Sequence, residues 1–244
     1  MLSDVVIEMM GSDFIVWRCL HGGPLTAETV DHPEPHPRVP WERLRPRNVA
    51  LLEKLTAVYG SCAVVARDGE QIVGLLRFYP KAVFAQADPS SLGAGLCMQQ
   101  VPPNGPADDF ADRDFPALEE IADKTLRVHC IMTGSPSKEE NPYQRKGIGS
   151  RMVRALADWA GRRGWCGIEA TTYADLPCLY AVTGQAGRTF WEKLGFRVID
   201  QGIEAAFVED GNDGFVKAMM KEAAEKGMDP ETAKTKYTMR MDLD

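Results

Sequence analysis

Apolar and polar residues alternate strictly at the end of the chain. In KYTMRMDL, Tyr237, Met239, Met241 and Leu243 share one side, as in a half-buried strand. The same period marks 125–133, TLRVHCIMT, where Leu126, Val128, Cys130 and Met132 oppose Arg127, His129, Ile131 and Thr133. Apolar runs predict further strands at 13–20 (DFIVWRCL), 165–173 (WCGIEATTY) and 196–200 (FRVID). Two β-rich runs flank Asp68-Gly69, a strong hairpin signal. Elsewhere the period is helical. Residues 46–60, PRNVALLEKLTAVYG, carry proline near the start and glycine past the end. Around Gly149, Ile148, Met152, Ala155, Leu156 and Trp159 line one side, with Arg151, Arg154, Asp158 and Arg162 on the other. Gly161 and Gly164 end that helix. Further helices are predicted at 187–195 and 213–227.

Hairpins followed by β-α-β-α-β predict a mixed α/β sheet in a single domain spanning 1–244. It divides into an N-terminal strand, connector and helix (1–60), a core (61–200), and a last helix and strand (201–244). Two stretches lie outside this pattern. HPEPHPRVP cannot be regular structure. Residues 85–116 are long, acidic and rich in Pro and Gly; such loops are lids, binding loops or disordered insertions. Phe110 and Phe115 could pin this insertion over a cleft. Its acids, with Glu119 and Glu120, either attract a cationic substrate or form a solvated charge run, and the second is the simpler reading. His32 and His36 have no supporting ligands among their prolines, so no metal site is expected.

The net charge of −7 argues against a nucleic-acid binder, which needs a basic face. No apolar run approaches the ~20 residues that span a bilayer. The start, MLSDVVIEMMGSDF, has no basic n-region, so the expected compartment is the cytoplasm. The six cysteines show neither CxxC pairing nor zinc spacing and are expected to be reduced.

Against that acidic background, NPYQRKGIGS (141–150) stands out as a basic, glycine-punctuated turn between a strand and a helix. Free N–H groups and the helix dipole point at whatever sits there, and glycine permits close approach. These are the requirements of a phosphate or pyrophosphate cradle. It is not a Walker A loop, because no GK[ST] follows, nor a Rossmann fingerprint, because Met152 stands where a third glycine is needed. The order strand, Gln144-x-x-Gly147-x-Gly149, amphipathic helix, strand, then FWEKLGFRVI resembles the GNAT acetyltransferase superfamily. The resemblance covers about 61–200 and the last strand; 85–116 has no counterpart.

The resemblance implies an acyltransferase fold with splayed central strands and transfer of an acetyl group from acetyl-CoA to an amine of a small molecule or protein. Gln144, Arg145, Lys146, Gly147, Ile148, Gly149 and Ser150 would hold the pyrophosphate of coenzyme A. Backbone N–H groups around Cys130, Ile131 and Met132 would hold the pantetheine arm or polarise the thioester. Trp191 falls where many members carry a tyrosine that protonates the leaving thiolate; indole offers only a hydrogen bond. The Asn common a few residues earlier is missing, with Gly184 near its place. Either Tyr180 or Tyr173 takes over as acid, or solvent supplies the proton. For the base there are two candidates, Glu169 in an otherwise uncharged strand and His129 on the neighbouring one. Each has a structural alternative: an ion pair with Arg127 for Glu169, a packing histidine for His129. Cys178 is a remote candidate for an acyl-accepting nucleophile. A homodimer is left open, and the rival function is an acyl-CoA sensor on the same fold.

Overall fold

The computed structural model of the chain describes residues 5–33, 40–84, 114–134, 141–208 and 213–243. Its strands are β1 Val6–Met9, β2 Ala63–Asp68, β3 Gln71–Pro80, β4 Thr125–Thr133, β5 Gly167–Thr172, β6 Arg197–Ile203 and β7 Thr235–Asp242. They form one mixed sheet in the order β1-β2-β3-β4-β5-β7-β6. All neighbours run antiparallel except β4 and β5, which are parallel. The helices are α1 Ala27–Asp31, α2 Trp41–Tyr59, α3 Lys81–Phe84, α4 Ile148–Arg162, α5 Pro177–Thr183, α6 Arg188–Glu192, α7 Asp213–Glu225 and α8 Pro230–Lys234. The mixed α/β expectation is met. Among the described residues no helix is long and apolar enough to cross a membrane.

Both faces of the sheet's centre are covered, so β3 is buried from Ile72 to Pro80. On one face α4 lays Ile148, Met152, Val153, Leu156, Trp159 and Ala160 against the sheet, with Trp159 on Phe78 at 5.4 Å between ring centroids. On the other face the Arg77 guanidinium donates to the Val16 carbonyl at 2.6 Å. The segment 13–20 is therefore not a strand. It is a buried, irregular stretch whose carbonyls take side-chain donors, Arg77 on Val16 and Asn48 on Trp17 at 3.3 Å, instead of a ladder. The N-terminal strand lies earlier, at β1. Helix α2 also starts earlier than the sequence suggests, at Trp41, which leaves Pro46 inside it. Proline favours a helix's first turn, yet Pro46 lies in the second, where it cannot donate to the Glu42 carbonyl and crowds it.

Two features of β4 position the site. Arg77 pairs with Cys130 while Phe78 pairs with Val128, so His129 is an extra residue, a β-bulge. The bulge inverts the alternation beyond it. Val128 lies on the α4 face and so does Ile131, whereas Cys130 and Met132 turn to the opposite face. The single apolar face expected for Leu126, Val128, Cys130 and Met132 is thus corrected to two. Second, the pairing of β4 with β5 stops at Val128 and Ala170, although β4 continues to Thr133 and β5 to Thr172. The central strands splay. Most of the 85–116 insertion, Phe110 included, and His36 lie outside the described residues. Phe115 is buried, and the Pro116 carbonyl accepts from the Tyr59 hydroxyl at 2.8 Å.

Candidate active-site cleft

The end of β4 is tied to the start of α4 by Asn141. Its Nδ2 donates to the Thr133 carbonyl at 2.8 Å, while its Oδ1 accepts from the Tyr143 N–H at 3.1 Å. Tyr143 donates in turn to Asp68 Oδ2 at 3.1 Å, anchoring the turn to the β2–β3 hairpin. Arg145 (φ 56°) and Gly147 (φ 77°) then take left-handed backbone. Gly147 is the N-cap of α4, with no side-chain cap and no acid in the first turn. The first-turn N–H groups, Ile148 to Ser150, have no acceptor within the helix. They are open to an anion.

A cavity of about 300 Å³ lies in front of them. Gln144, Arg145, Gly147, Ile148, Gly149 and Ser150 form its rim; Ile131 and Thr133 of β4 line it, with Tyr143, Tyr180, Ala186 and Phe190. A Cβ at Gly149 would touch the Phe190 ring at 3.4 Å and Ile131 Cδ1 at 3.7 Å, so any longer side chain must grow into this space. At Gly147 a Cβ would meet nothing; there glycine is needed for φ, not for room.

Eight of the sequence-derived site residues therefore meet in one cleft: Gln144, Arg145, Gly147, Ile148, Gly149, Ser150, Ile131 and Tyr180. Lys146 is exposed beside it. Cys130 and Met132 do not contribute. In an antiparallel ladder successive residues direct their backbone groups to opposite sides. Since Ile131 and Thr133 face the gap, the N–H groups of Cys130 and Met132 face β3. Trp191 is corrected as well. It is fully buried, donates its indole N–H to the Ala186 carbonyl at 3.2 Å and packs on Phe196. Its neighbour Phe190 lines the cleft instead. Sequence reasoning missed Phe190, Tyr143, Thr133 and Ala186, although the first two sit inside the FWEKLGF and NPYQRKG runs that drew attention.

The three catalytic candidates separate. Tyr180 is in the cleft, its hydroxyl accepting from the Thr133 N–H at 3.1 Å. Burial raises its pKa above the ordinary phenol value, so it keeps its proton near neutral pH. Tyr173, the alternative acid, is buried elsewhere and donates to Glu204 at 3.2 Å. Glu169 lies in the paired part of β5, on the face away from α4. Its carboxylate is 2% exposed and holds Lys81 at 2.9 Å, Arg240 at 3.2 Å and Arg127 at 3.9 Å. The hydrogen bond to Glu169 raises the Lys81 pKa. That geometry favours the ion-pair reading: a base whose oxygens are held by three cations, outside the cleft, is poorly placed to take an amine's proton.

His129 stands at the bulge with its ring 5.9 Å from Tyr79. Burial, then the charges of Arg77 and His21, lower its pKa to about 4. A group so readily deprotonated is a weak base at neutral pH. Its folded-state pKa lies below the unfolded value of about 6.5, so the unfolded chain binds the proton first. Its contribution is complete above pH 6.5 and is lost as the pH falls towards 4. Allowing for partial exposure of the ring, the loss is about 1–2 kcal/mol. Denaturant unfolding at pH 7 and pH 4.5 should show that drop in the wild type and a smaller one in His129→Asn.

No protein-family model and no curated protein sequence matches the chain. Solved structures do. A mosquito arylalkylamine N-acetyltransferase-like protein is 16% identical with a TM-score of 0.45, covering 98% of this chain and 100% of that one. An IAA acetyltransferase from Bacillus cereus is 13% identical with a TM-score of 0.44, over 98% and 100%. The ribosomal-protein-S18-alanine N-acetyltransferase from Escherichia coli is 9% identical with a TM-score of 0.41, over 98% and 94%.

Proposed function

We propose that the chain is an acetyl-CoA-dependent N-acyltransferase. The observation that carries this is the uncapped, glycine-opened start of α4 facing a cavity at the point where β4 and β5 part. The pyrophosphate of coenzyme A would accept from the Ile148–Ser150 N–H groups, with Arg145 and Lys146 adding positive charge. The pantetheine arm would run along β4 into the gap. The amine nitrogen attacks the thioester carbonyl carbon, the oxyanion collapses, and the C–S bond breaks. The departing thiolate takes a proton from Tyr180 or from solvent, and water removes the proton from the amine.

The turn's side chains matter less than its backbone. Replacing Arg145 and Lys146 together with Ala should weaken coenzyme A binding about tenfold, since two exposed charges contribute up to ~1 kcal/mol each. The deficit should shrink at high salt, where such charges are screened. Isothermal titration at two ionic strengths checks this; loss of all binding would place the affinity on the side chains.

A two-step route through Cys178 has no support. Burial and its bond to Glu222 push the thiol pKa up to about 12, so little thiolate forms near neutral pH. Cys178→Ser should keep turnover within about twofold. An acyl-enzyme trapped at Cys178 and seen by mass spectrometry would contradict this.

A second reading, an acyl-CoA sensor, is favoured by one observation. No carboxylate or imidazole lines the cleft among the described residues. Thiol release from acetyl-CoA, measured against a panel of alkylamines, arylalkylamines and lysine peptides, separates the two. Steady turnover with any acceptor supports the enzyme. Tight coenzyme A binding without release for every acceptor supports the sensor.

A further inference from the structure

The edge of β4 that faces the gap is already taken by the chain itself. The Ile131 N–H donates to the Gly184 carbonyl at 2.8 Å. The Thr133 N–H donates to the Tyr180 hydroxyl at 3.1 Å, and the His129 carbonyl accepts from the Gln185 side-chain amide. These three groups belong to alternate residues, the ones that β5 would have paired had the strands stayed together. In their place lie the end of α5 and the turn that follows.

The turn is fitted to its place. Gly184 takes left-handed backbone (φ 63°), and a side chain there would collide with Met132 Cε. Gln185 is held by its own N–H on Thr183 Oγ1 at 3.1 Å. One residue on, Ala186 is clamped to the body of the sheet: its carbonyl accepts from the Thr172 hydroxyl at 2.6 Å and from the Trp191 indole at 3.2 Å. Gly184 and Gln185 therefore form a short bridge between a firm anchor and a helix end, and the bridge spans the gap.

Resting on the acyl-CoA reading above, we propose that Gly184 and Gln185 are a built-in stand-in for the pantetheine arm, which reaches β4 only by displacing them. The arm carries two amide groups along an extended chain, so it offers the same carbonyl and N–H partners to the same strand edge. Exchange of one set of hydrogen bonds for another keeps the buried backbone groups satisfied in both states. The closed bridge keeps water off the Ile131 N–H until the arm arrives. Left-handed Gly184 is the residue at which the bridge can swing, because glycine crosses between backbone regions without steric cost.

The nucleotide end and the arm should then behave differently. ADP, which has the pyrophosphate but no arm, should bind at the α4 turn and leave the bridge closed. Coenzyme A should bind and open it. Amide hydrogen exchange resolved by residue is the readout. With ADP, exchange at Gln185 should stay as in the free chain; with coenzyme A it should accelerate at least tenfold, because the Gln185 N–H leaves Thr183 Oγ1 when its peptide with Gly184 turns, while Ile131 stays protected by its new partner. Gln185→Ala, which removes the His129 anchor, should tighten coenzyme A about tenfold and leave ADP unchanged. If coenzyme A binds with Gln185 exchanging as before, or if Gln185→Ala fails to favour coenzyme A over ADP, the stand-in is overturned while the pyrophosphate reading survives. If neither ADP nor coenzyme A binds, both fall.

Discussion

Gly149→Glu should reduce coenzyme A affinity by about 100-fold or more, roughly 3 kcal/mol, while the chain still folds. Two effects act together. The Cβ already lies against Phe190 and Ile131, so the rest of the side chain must occupy the cavity. Its carboxylate is then placed among the N–H groups that would hold the pyrophosphate, where it both competes for the donors and repels the anion. Glutamate in the first turn is itself favourable to a helix, so α4 should not suffer. Gly149→Ala makes the control: its Cβ makes ordinary contacts, and affinity should change little. Titration of both variants, with melting curves, separates occlusion from unfolding. Unchanged affinity in a folded Gly149→Glu protein would remove the cleft from consideration as the binding site.

Glu169→Gln should destabilise more than any other single change considered for this chain, by about 3 kcal/mol, or ~6–12 °C in Tm for a chain of this size. The carboxylate is almost wholly buried and pairs with Lys81, Arg240 and Arg127. Removing its charge leaves three cations facing one another across two strands and the start of α3. The neighbours Asp123 and Asp242, which also hold Lys81 and Arg240, relieve part of the strain but are far more exposed. Any transferase activity should keep its wild-type pH profile once the protein is folded. A variant with an unmoved Tm and a rate deficit greatest at low pH, where less of the amine is neutral, would instead make Glu169 the base.

Periodicity carried the sequence reading furthest where one face of an element alone is buried. Helix α4 and strand β7 were legible for that reason, and the Asp68-Gly69 turn because glycine at φ 59° suits a tight hairpin. It failed where burial comes without a ladder. The apolar run at 13–20 looks like a strand, yet its carbonyls are met by Arg77 and Asn48 from distant parts of the chain. The bulge at His129 was equally invisible, because the apolar pattern of the sequence runs through it unbroken and only the partner strand reveals the inserted residue. That one residue decides which of Cys130, Ile131 and Met132 faces the cleft. The pyrophosphate turn was legible because its requirements are local: glycine, basic side chains and the start of a helix. The catalytic candidates were not. Whether Glu169 is a base or an ion-pair partner depends on Lys81 and Arg240, which are far from it in sequence and reach it only in the folded sheet.

Proximity of an anion to the start of α4 is the central claim, and backbone amide shifts report it without any assumption about turnover. In a coenzyme A titration followed by NMR, the amides of Ile148, Gly149 and Ser150 should shift together and saturate, with Gly147 and Arg145 following, and ADP should reproduce most of that change. Saturable coenzyme A binding that leaves those amides unmoved, or that shifts only residues elsewhere on the sheet, would contradict the account.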